Sequence, residues 1–203
     1  MEVFPFYPDG YFGSVCYVLC NCGKYVVIDP SVDPVIICEK IPDFFPSYII
    51  LTHAHFDHML FLENFVNKYS SVPVLLHESD IQGLQSPHYN ASILFLRNPL
   101  VYHGQARTVR DGDSISFGDS ALNIYNFSGH TEGSVVIQCG KNLFSGDLIF
   151  DGGNLGRVDL ISGDFDKMTQ SINRFFKLFL DDYTIFPGHG NPFMLNNIRH
   201  QFK

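Results

Sequence analysis

Three histidines and one aspartate are crowded between residues 53 and 58, directly after an apolar run. The run is 48–51 (YIIL), and the cluster is 53–58 (HAHFDH). A short apolar run of this kind predicts a buried strand, and the polar cluster predicts that the strand ends in a loop. The chain must therefore bury this strand and still hold four polar groups together at its end.

All four of these groups bind divalent metal ions at neutral pH, because imidazole nitrogens suit zinc and iron and carboxylate oxygens suit harder ions. His53 and His55 are two residues apart. In an extended segment their side chains leave the backbone on the same side and can chelate one ion. Asp57 and His58 follow an expected turn and can face a second ion. We interpret the stretch as a metal site.

The composition fits a chain with a large core and limits the classes of partner. The chain has 203 residues, of which 45% are hydrophobic and 17% charged, and its formal net charge is -8. The length predicts a single domain over residues 1–203. The acidity and the lack of a basic run argue against nucleic acid, since phosphate contacts need clustered Lys and Arg. We expect a small-molecule substrate.

The cysteines and the first residues bear on location. The five cysteines are odd in number and lack C-x-x-C spacing, which predicts reduced thiols. Residues 1–10 lack the basic and apolar regions of a signal peptide. The sequence also lacks the stretch of about 18 apolar residues that a membrane-spanning helix needs. We expect a cytoplasmic protein that does not contact membranes.

The apolar pattern predicts strands and helices on both sides of the cluster. Residues 21–23 form the expected turn of a hairpin, and Asp164 is the expected N-cap of the last helix. The segment 77–107 has no clear pattern. Strands are expected at 14–19, 24–28, 48–51, 73–76, 114–117, 122–127, 135–138, 142–144 and 183–186, and helices at 35–41, 58–69 and 164–180.

Three further metal-binding side chains each follow a predicted strand and adjoin glycine. His130 lies in Gly-His-Thr, Asp147 in Gly-Asp and His189 in Pro-Gly-His-Gly. Glycine lets the backbone turn sharply and approach an ion, and loops at strand ends often converge on one site. With the cluster they supply seven ligands, which fits two metal ions with open positions for water.

Asp29 ends the strand predicted at 24–28, and two roles remain open for it. It can form a turn or a cap, as Asp does at strand ends. It can instead accept a hydrogen bond from the second nitrogen of a metal-bound histidine. The sequence does not favour either role.

The order and spacing of these motifs resemble those of the metallo-β-lactamase-fold superfamily over nearly the whole chain. The motifs are HAHFDH at 53–58, GHT at 129–131, GD at 146–147 and PGHG at 187–190. Within the superfamily the chain looks most like the glyoxalase II (hydroxyacylglutathione hydrolase) group, because GRVD follows at 156–159. The resemblance implies an α/β (α+β) fold, a four-layer αββα sandwich with two mixed sheets inside.

The resemblance also implies a division of the seven ligands between two divalent metal ions. Zn²⁺ is expected, with Fe or Mn as alternatives. A hydroxide between the metals would be the nucleophile, and the catalytic Asp57 would bind a metal and orient that hydroxide. The implied ligands are His53, His55 and His130 for the first ion, Asp57, His58 and His189 for the second, and Asp147 as the bridge.

The implied activity is hydrolysis of a thioester or related ester. Zinc β-lactamases carry Cys at the place of Asp147, so antibiotic hydrolysis is not expected. Glyoxalase II has a C-terminal helical domain that holds glutathione, and we expect this chain to be a short form without it. The alternative is a persulfide dioxygenase-like enzyme, which shares the Gly-Arg-x-Asp motif. It uses one iron, bound by equivalents of His53, His130 and Asp147.

The candidate substrate-binding residues are Arg157, Tyr89 and Asn90. Arg157 can bind an anionic group through paired N–H donors, but an ion pair with Asp159 or Asp164 is the favoured alternative. Tyr89 and Asn90 are placed near the substrate mouth by their position in the chain alone.

Overall fold

The computed structural model describes residues 1–10 and 13–202, and its first sheet has six strands in sequential order. Strands β1 to β3 pair antiparallel, and β3 to β6 pair parallel. The strands are β1 (Glu2–Phe6), β2 (Cys16–Asn21), β3 (Lys24–Ile28), β4 (Pro46–Ile50), β5 (Val74–His77) and β6 (Arg107–Val109).

The second sheet also has six strands, in the order β12-β11-β10-β9-β8-β7. All of its neighbours pair antiparallel except β10 and β11, which are parallel. The strands are β7 (Ser114–Phe117), β8 (Ser120–Asn126), β9 (Val135–Cys139), β10 (Asn142–Gly146), β11 (Thr184–Pro187) and β12 (Phe193–Met194).

Helices and 3-10 turns fill the connections between the strands. The helices are α1 (Pro34–Lys40), α2 (Leu62–Lys68), α3 (Ser92–Phe95) and α4 (Phe165–Leu178). The 3-10 segments are Phe56–His58, Glu78–Leu84, Asp151–Gly153, Leu195–Asn197 and Arg199–Phe202.

The central strands of both sheets, such as β3 and β9, are largely buried on their two faces, to which successive residues point in turn. In β3, Val26 and Ile28 pack between the sheets, whereas Val27 faces the outer layer of α1 and α2. In β9, Ile137 packs between the sheets and Val136 packs towards α4. These central strands are therefore almost continuously apolar, and the expected four-layer αββα sandwich is confirmed.

Most predicted elements are present, with shifted ends. The hairpin turn is confirmed, since Cys22 and Gly23 have φ values of 50° and 73°, the left-handed pair that a tight two-residue hairpin requires. Asp164 caps α4 through a hydrogen bond from Lys167 N–H of 3.0 Å. The helix predicted from residue 58 begins at Leu62, because Phe56–His58 forms a separate 3-10 turn. The short strands β1, β6 and β12 were not predicted.

All five cysteines are free thiols, as expected. In residues 1–10 and 13–202, none of the helices combines the length and the apolar character that crossing a membrane requires.

Candidate metal centre

The cluster 53–58 lies in the loop after β4, at the rim where the two sheets meet. The carbonyl of Thr52 accepts a hydrogen bond of 2.9 Å from Val135 N–H of the second sheet. The parallel strands β10 and β11 end at the same rim and deliver Asp147 and His189. The structure thus brings together all seven side chains that the sequence singles out.

Three imidazole nitrogens form a tight triangle. His53 Nε2 lies 3.1 Å from His55 Nδ1 and 3.1 Å from His130 Nε2, and the last two are 2.8 Å apart. Three nitrogens bound to one ion at about 2.0–2.1 Å are separated by similar distances. The spacing therefore fits a single ion at the centre of the triangle.

The outer hydrogen bonds of two of these rings leave lone pairs facing the triangle. His130 Nδ1 donates to the carbonyl of Arg157 at 2.7 Å. Thr52 Oγ1 donates to Asp29 at 2.7 Å, so it accepts from His53 Nδ1 at 3.2 Å. In the neutral form of each ring, Nε2 then carries a lone pair that faces the triangle. An N–H on His55 Nδ1 can fully satisfy only one of these two lone pairs, so the other is left to face a cation.

A second donor group adjoins the triangle. The donor atoms of Asp57, His58 and His189 lie within 4.8 Å of one another. His189 Nε2 is 3.1 Å from Asp57 Oδ2, which is 3.8 Å from His58 Nε2. His58 Nε2 is buried and has no hydrogen-bond partner among the described residues. A buried nitrogen that lies close to carboxylates but makes no hydrogen bond of good geometry fits a metal ligand.

Asp147 faces both groups. Its Oδ1 lies 3.2 Å from His58 Nε2, and its Oδ2 lies 3.5 Å from both His130 Nε2 and His189 Nε2. Oδ1 is also buried and lacks a hydrogen-bond partner within residues 1–10 and 13–202. The carboxylate is thus positioned to serve two ions at once.

Asp29 lies in a left-handed turn, with a φ of 54°, and its side chain contacts a histidine of the second group, so its two open roles are compatible. Its Oδ2 lies 2.8 Å from His58 Nδ1, and both side chains are buried. The same carboxylate accepts hydrogen bonds from Thr52 N–H and Thr52 Oγ1, each of 2.7 Å. It therefore orients the His58 ring from behind, leaving Nε2 to face the second donor group.

Asp80 is a residue that the sequence analysis missed. Its fully buried carboxylate accepts hydrogen bonds from Ala54 N–H (3.0 Å), Thr131 Oγ1 (2.8 Å), Gly133 N–H (2.7 Å) and Tyr89 OH (2.8 Å). Ala54 separates His53 from His55, and Thr131 follows His130. Asp80 thus joins the two loops that form the histidine triangle. A lone Asp in a segment without periodicity carries no sequence signal of this role.

The two donor groups differ in charge. Burial, then the neighbouring His58, His130 and His55, lowers the pKa of His53 well below its usual value. Burial and the neighbouring His130 lower the pKa of His55 to about 3. These histidines of the triangle are neutral and ready to bind a cation at neutral pH.

Carboxylates surround the second group. Burial alone would lower the pKa of His189, but hydrogen bonds to Asp147 and Asp57 raise it to about 9. Burial likewise opposes charge on His58, yet Asp29, Asp147 and Asp57 raise its pKa well above the usual value. Although burial alone would raise the pKa of Asp147, His58 and His189 hold it well below its usual value. In the metal-free protein, the raised pKa values favour protonated His58 and His189, whose positive charges offset the carboxylates of the second group.

Two glycines permit the close approach of these groups. Gly146 has a φ of 48°, which disfavours other residues, and a Cβ there would lie 2.6 Å from Thr52 Oγ1. A Cβ on Gly188 would lie 2.6 Å from His58 Cε1 and would also overlap Asp147. Side chains at either position would separate the donor groups.

The donor groups open into a cavity of about 190 Å³ lined partly by Arg157. Both Nε and NH2 of Arg157 bind Asp159 at 2.7 Å, so the favoured ion-pair alternative is confirmed. Neither Tyr89 nor Asn90 lines the cavity. Tyr89 OH binds Asp80, and the Asn90 amide binds the carbonyls of Gly83 and Leu100. Their expected position at the substrate mouth is wrong, because both side chains are buried and hydrogen-bonded within their own segment.

Comparison with known proteins agrees with this geometry. The sequence model of the metallo-beta-lactamase superfamily matches residues 9–189. The probable metallo-hydrolase YqgX of Bacillus subtilis is 30% identical over 194 residues, which cover 90% of this chain and 88% of that protein. A hydroxyacylglutathione hydrolase of Aliivibrio fischeri is 31% identical over 155 residues, which cover 76% of this chain but 52% of that protein.

Solved structures are similar over almost the whole chain. BLEG-1, described as a B3 metallo-beta-lactamase, has a TM-score of 0.89 and 28% identity, covering 98% of this chain and 97% of its own. TTHA1623 in a di-iron-bound form has a TM-score of 0.82 and 26% identity, covering 97% and 96%. ETHE1 from Myxococcus xanthus shares the fold, with a TM-score of 0.76 and 20% identity. The match covers 98% of this chain and 82% of that chain. The chain belongs to the metallo-beta-lactamase superfamily.

Proposed function

We propose that the protein is a two-metal hydrolase of thioesters or related esters. The observation that carries the proposal is the pair of adjoining donor groups with Asp147 facing both. When bound, two divalent ions would lower the pKa of a shared water and polarise a substrate carbonyl. One ion would be held by the triangle of His53, His55 and His130. The other would be held by Asp57, His58 and His189, and Asp147 would contact both ions.

The protein's own residues hold the reactants in place. Asp57 lines the cavity and is kept in position by His189 at 3.1 Å. Its carboxylate can accept a hydrogen bond from a water molecule and aim that water at the substrate. In the reaction the water oxygen bonds to the carbonyl carbon and the carbon–sulfur bond breaks. The thiol leaves with one proton, and the acid releases the other.

The relatives support this class of reaction but leave its details to experiment. One relative is a probable metallo-hydrolase and another a hydroxyacylglutathione hydrolase. A similar structure is described in a di-iron-bound form, so iron is a real alternative to the expected zinc. The 28% identity to BLEG-1 makes a β-lactam a necessary comparison substrate.

The alternative function is that of a persulfide dioxygenase-like enzyme with one iron. One observation favours it: Asp147 Oδ2 lies 3.5 Å from His130 Nε2, so His53, His130 and Asp147 are close enough to form a three-ligand set. The completeness of the second group argues for two ions instead. One iron per chain, with oxygen uptake in the presence of glutathione persulfide, would favour this alternative.

The test begins with metal analysis of protein purified without added metal. We expect two ions per chain and hydrolysis of S-lactoylglutathione or simple thioesters at a rate above that of a β-lactam. Asp57→Asn should lower kcat by about 10²- to 10⁴-fold, whereas the exposed control Asp182→Asn should not. Fully metallated protein that hydrolyses no thioester would refute the proposal.

A further inference from the structure

The cavity at the donor groups has one polar wall and one apolar wall. The polar wall consists of the metal-binding side chains. The apolar wall consists of Phe56, Ala91, Phe95 and Leu160. The rings of Phe56 and Phe95 stack with centroids 5.5 Å apart and planes 21° apart. A substrate whose carbonyl lies at the donor groups therefore places its neighbouring atoms against these side chains.

The apolar wall continues outwards. Phe95 is 40% exposed, and its neighbour Leu94 is 65% exposed. In the second segment of the wall, Ile161 follows Leu160 and is 67% exposed. Both segments that form the wall thus carry apolar side chains to the surface. Clustered exposed apolar side chains beside a cavity commonly mark a ligand-binding surface.

The apolar wall carries no charge that would recognise a polar acyl group. Among the residues that line the cavity, Arg157 is the sole lysine or arginine, and Asp159 occupies two of its donors at 2.7 Å. This ion pair leaves little net positive charge for a carboxylate. The wall residues also offer no side-chain hydrogen-bond donor or acceptor for a hydroxyl group.

We propose that the acyl group of the substrate is apolar and uncharged, and that Phe95 determines this specificity. The inference rests on the proposed thioester hydrolysis and names its substrate class. An apolar cavity of roughly 150 Å³ holds a benzene ring, so the cavity of about 190 Å³ has room for an acyl group of about six to eight carbon atoms, such as hexanoyl or phenylacetyl. A small hydroxyacyl group such as lactoyl leaves the apolar wall in contact with water.

The experiment compares acyl groups on one uncharged thiol, so that the thiol cannot decide the result. Hexanoyl, phenylacetyl and lactoyl thioesters of N-acetylcysteamine are hydrolysed by the metal-reconstituted full chain. We expect kcat/KM for hexanoyl and phenylacetyl to exceed that for lactoyl by at least about tenfold. Phe95→Ser should remove most of this preference by lowering the hexanoyl value. The matched control is Phe45→Ser, which changes a phenylalanine that is 57% exposed and lies outside the cavity lining.

Each outcome bears on a different claim. Turnover with lactoyl equal to or better than hexanoyl overturns the inference and leaves the proposed function standing. Turnover of none of the thioesters overturns both. An unchanged preference in a folded Phe95→Ser variant overturns the role of Phe95.

Product binding provides a second measurement that does not depend on the variant or on turnover. The metal-reconstituted protein should bind hexanoate with a Kd at least about tenfold lower than that for acetate in calorimetric titrations. Both ligands can bind metal through a carboxylate alone, so the difference reports on the apolar wall. Equal Kd values would overturn the inference.

Discussion

The carboxylate of Asp29 lies 2.8 Å from Nδ1 of His58, at the rim where the two sheets meet. The pair is buried, and Asp29 also holds the backbone of Thr52 through Oδ1. One carboxylate thus orients a candidate metal ligand and anchors the start of the cluster 53–58. Asp29 therefore positions residues of the site, although it does not line the cavity.

Replacing this carboxylate should weaken one ion more than the other. In Asp29→Asn we expect the affinity of the second donor group for metal to fall by about 10- to 100-fold, as for other carboxylates behind a metal-bound histidine. The histidine triangle, which Asp29 reaches only through Thr52, should lose less. Titration against a competing chelator measures both affinities. Asp182→Asn is the control, and an equal loss at both groups would contradict the expected division.

The two donor groups can be separated by removing one histidine from each. His130→Ala should weaken the ion in the triangle, and His189→Ala should weaken the other, because these residues belong to different groups. Metal content after dialysis against a weak chelator should fall from two ions to about one in each variant. If either variant keeps both ions at full affinity, the division is wrong.

Asp80→Asn should lower both stability and the affinity of the triangle. Each carboxylate oxygen of Asp80 accepts one backbone N–H, from Ala54 or Gly133. An amide NH₂ must face one of these donors, which leaves a buried N–H unsatisfied at a cost of about 1–3 kcal/mol. Urea unfolding of the metal-free protein measures this cost. An unchanged midpoint would show that the loops are held by other contacts.

Histidine titrations in the metal-free protein should separate into two classes. His55, with a pKa lowered to about 3, should keep a neutral ring across the range in which His189, with a pKa raised to about 9, gains its proton. Ring resonances followed by NMR from pH 4 to pH 10 would show this directly. A His55 ring that titrates near its ordinary value of about 6.5 would contradict the expected burial.

These pKa values also set the pH dependence of stability. An unfolded histidine gains its proton near about pH 6.5, before His55 does in the folded chain. The contribution of His55 is therefore complete above that pH and is lost as the pH falls below it. His189 acts in the opposite direction, since its contribution is present below about pH 6.5 and is lost as the pH rises through about 9.

The candidate ligands could be found from the sequence because each one breaks an apolar pattern at the end of a strand. His130, Asp147 and His189 each follow a buried strand and adjoin glycine, which is a local signal. The core strands were visible for the same reason. The short strands β6 and β12 were not, since three and two residues are too few to show a period.

The remaining features depend on contacts between distant parts of the chain. Asp80 acts on Gly133, 53 positions away, and nothing near it in sequence indicates that contact. Asp29 and His58 are 29 positions apart, so the sequence left both roles of Asp29 open. Tyr89 and Asn90 were assigned from position alone, and the fold turns both side chains inwards.

The histidine triangle takes His53 and His55 from the loop after one sheet and His130 from a loop of the other. An ion bound there fastens the two halves of the sandwich to each other, and the unfolded chain has no such site. Metal at one hundred times its Kd would then stabilise the folded chain by about 2.7 kcal/mol. The free energy of unfolding of this protein in a cell would therefore depend on the metal concentration as well as on the packing of its core.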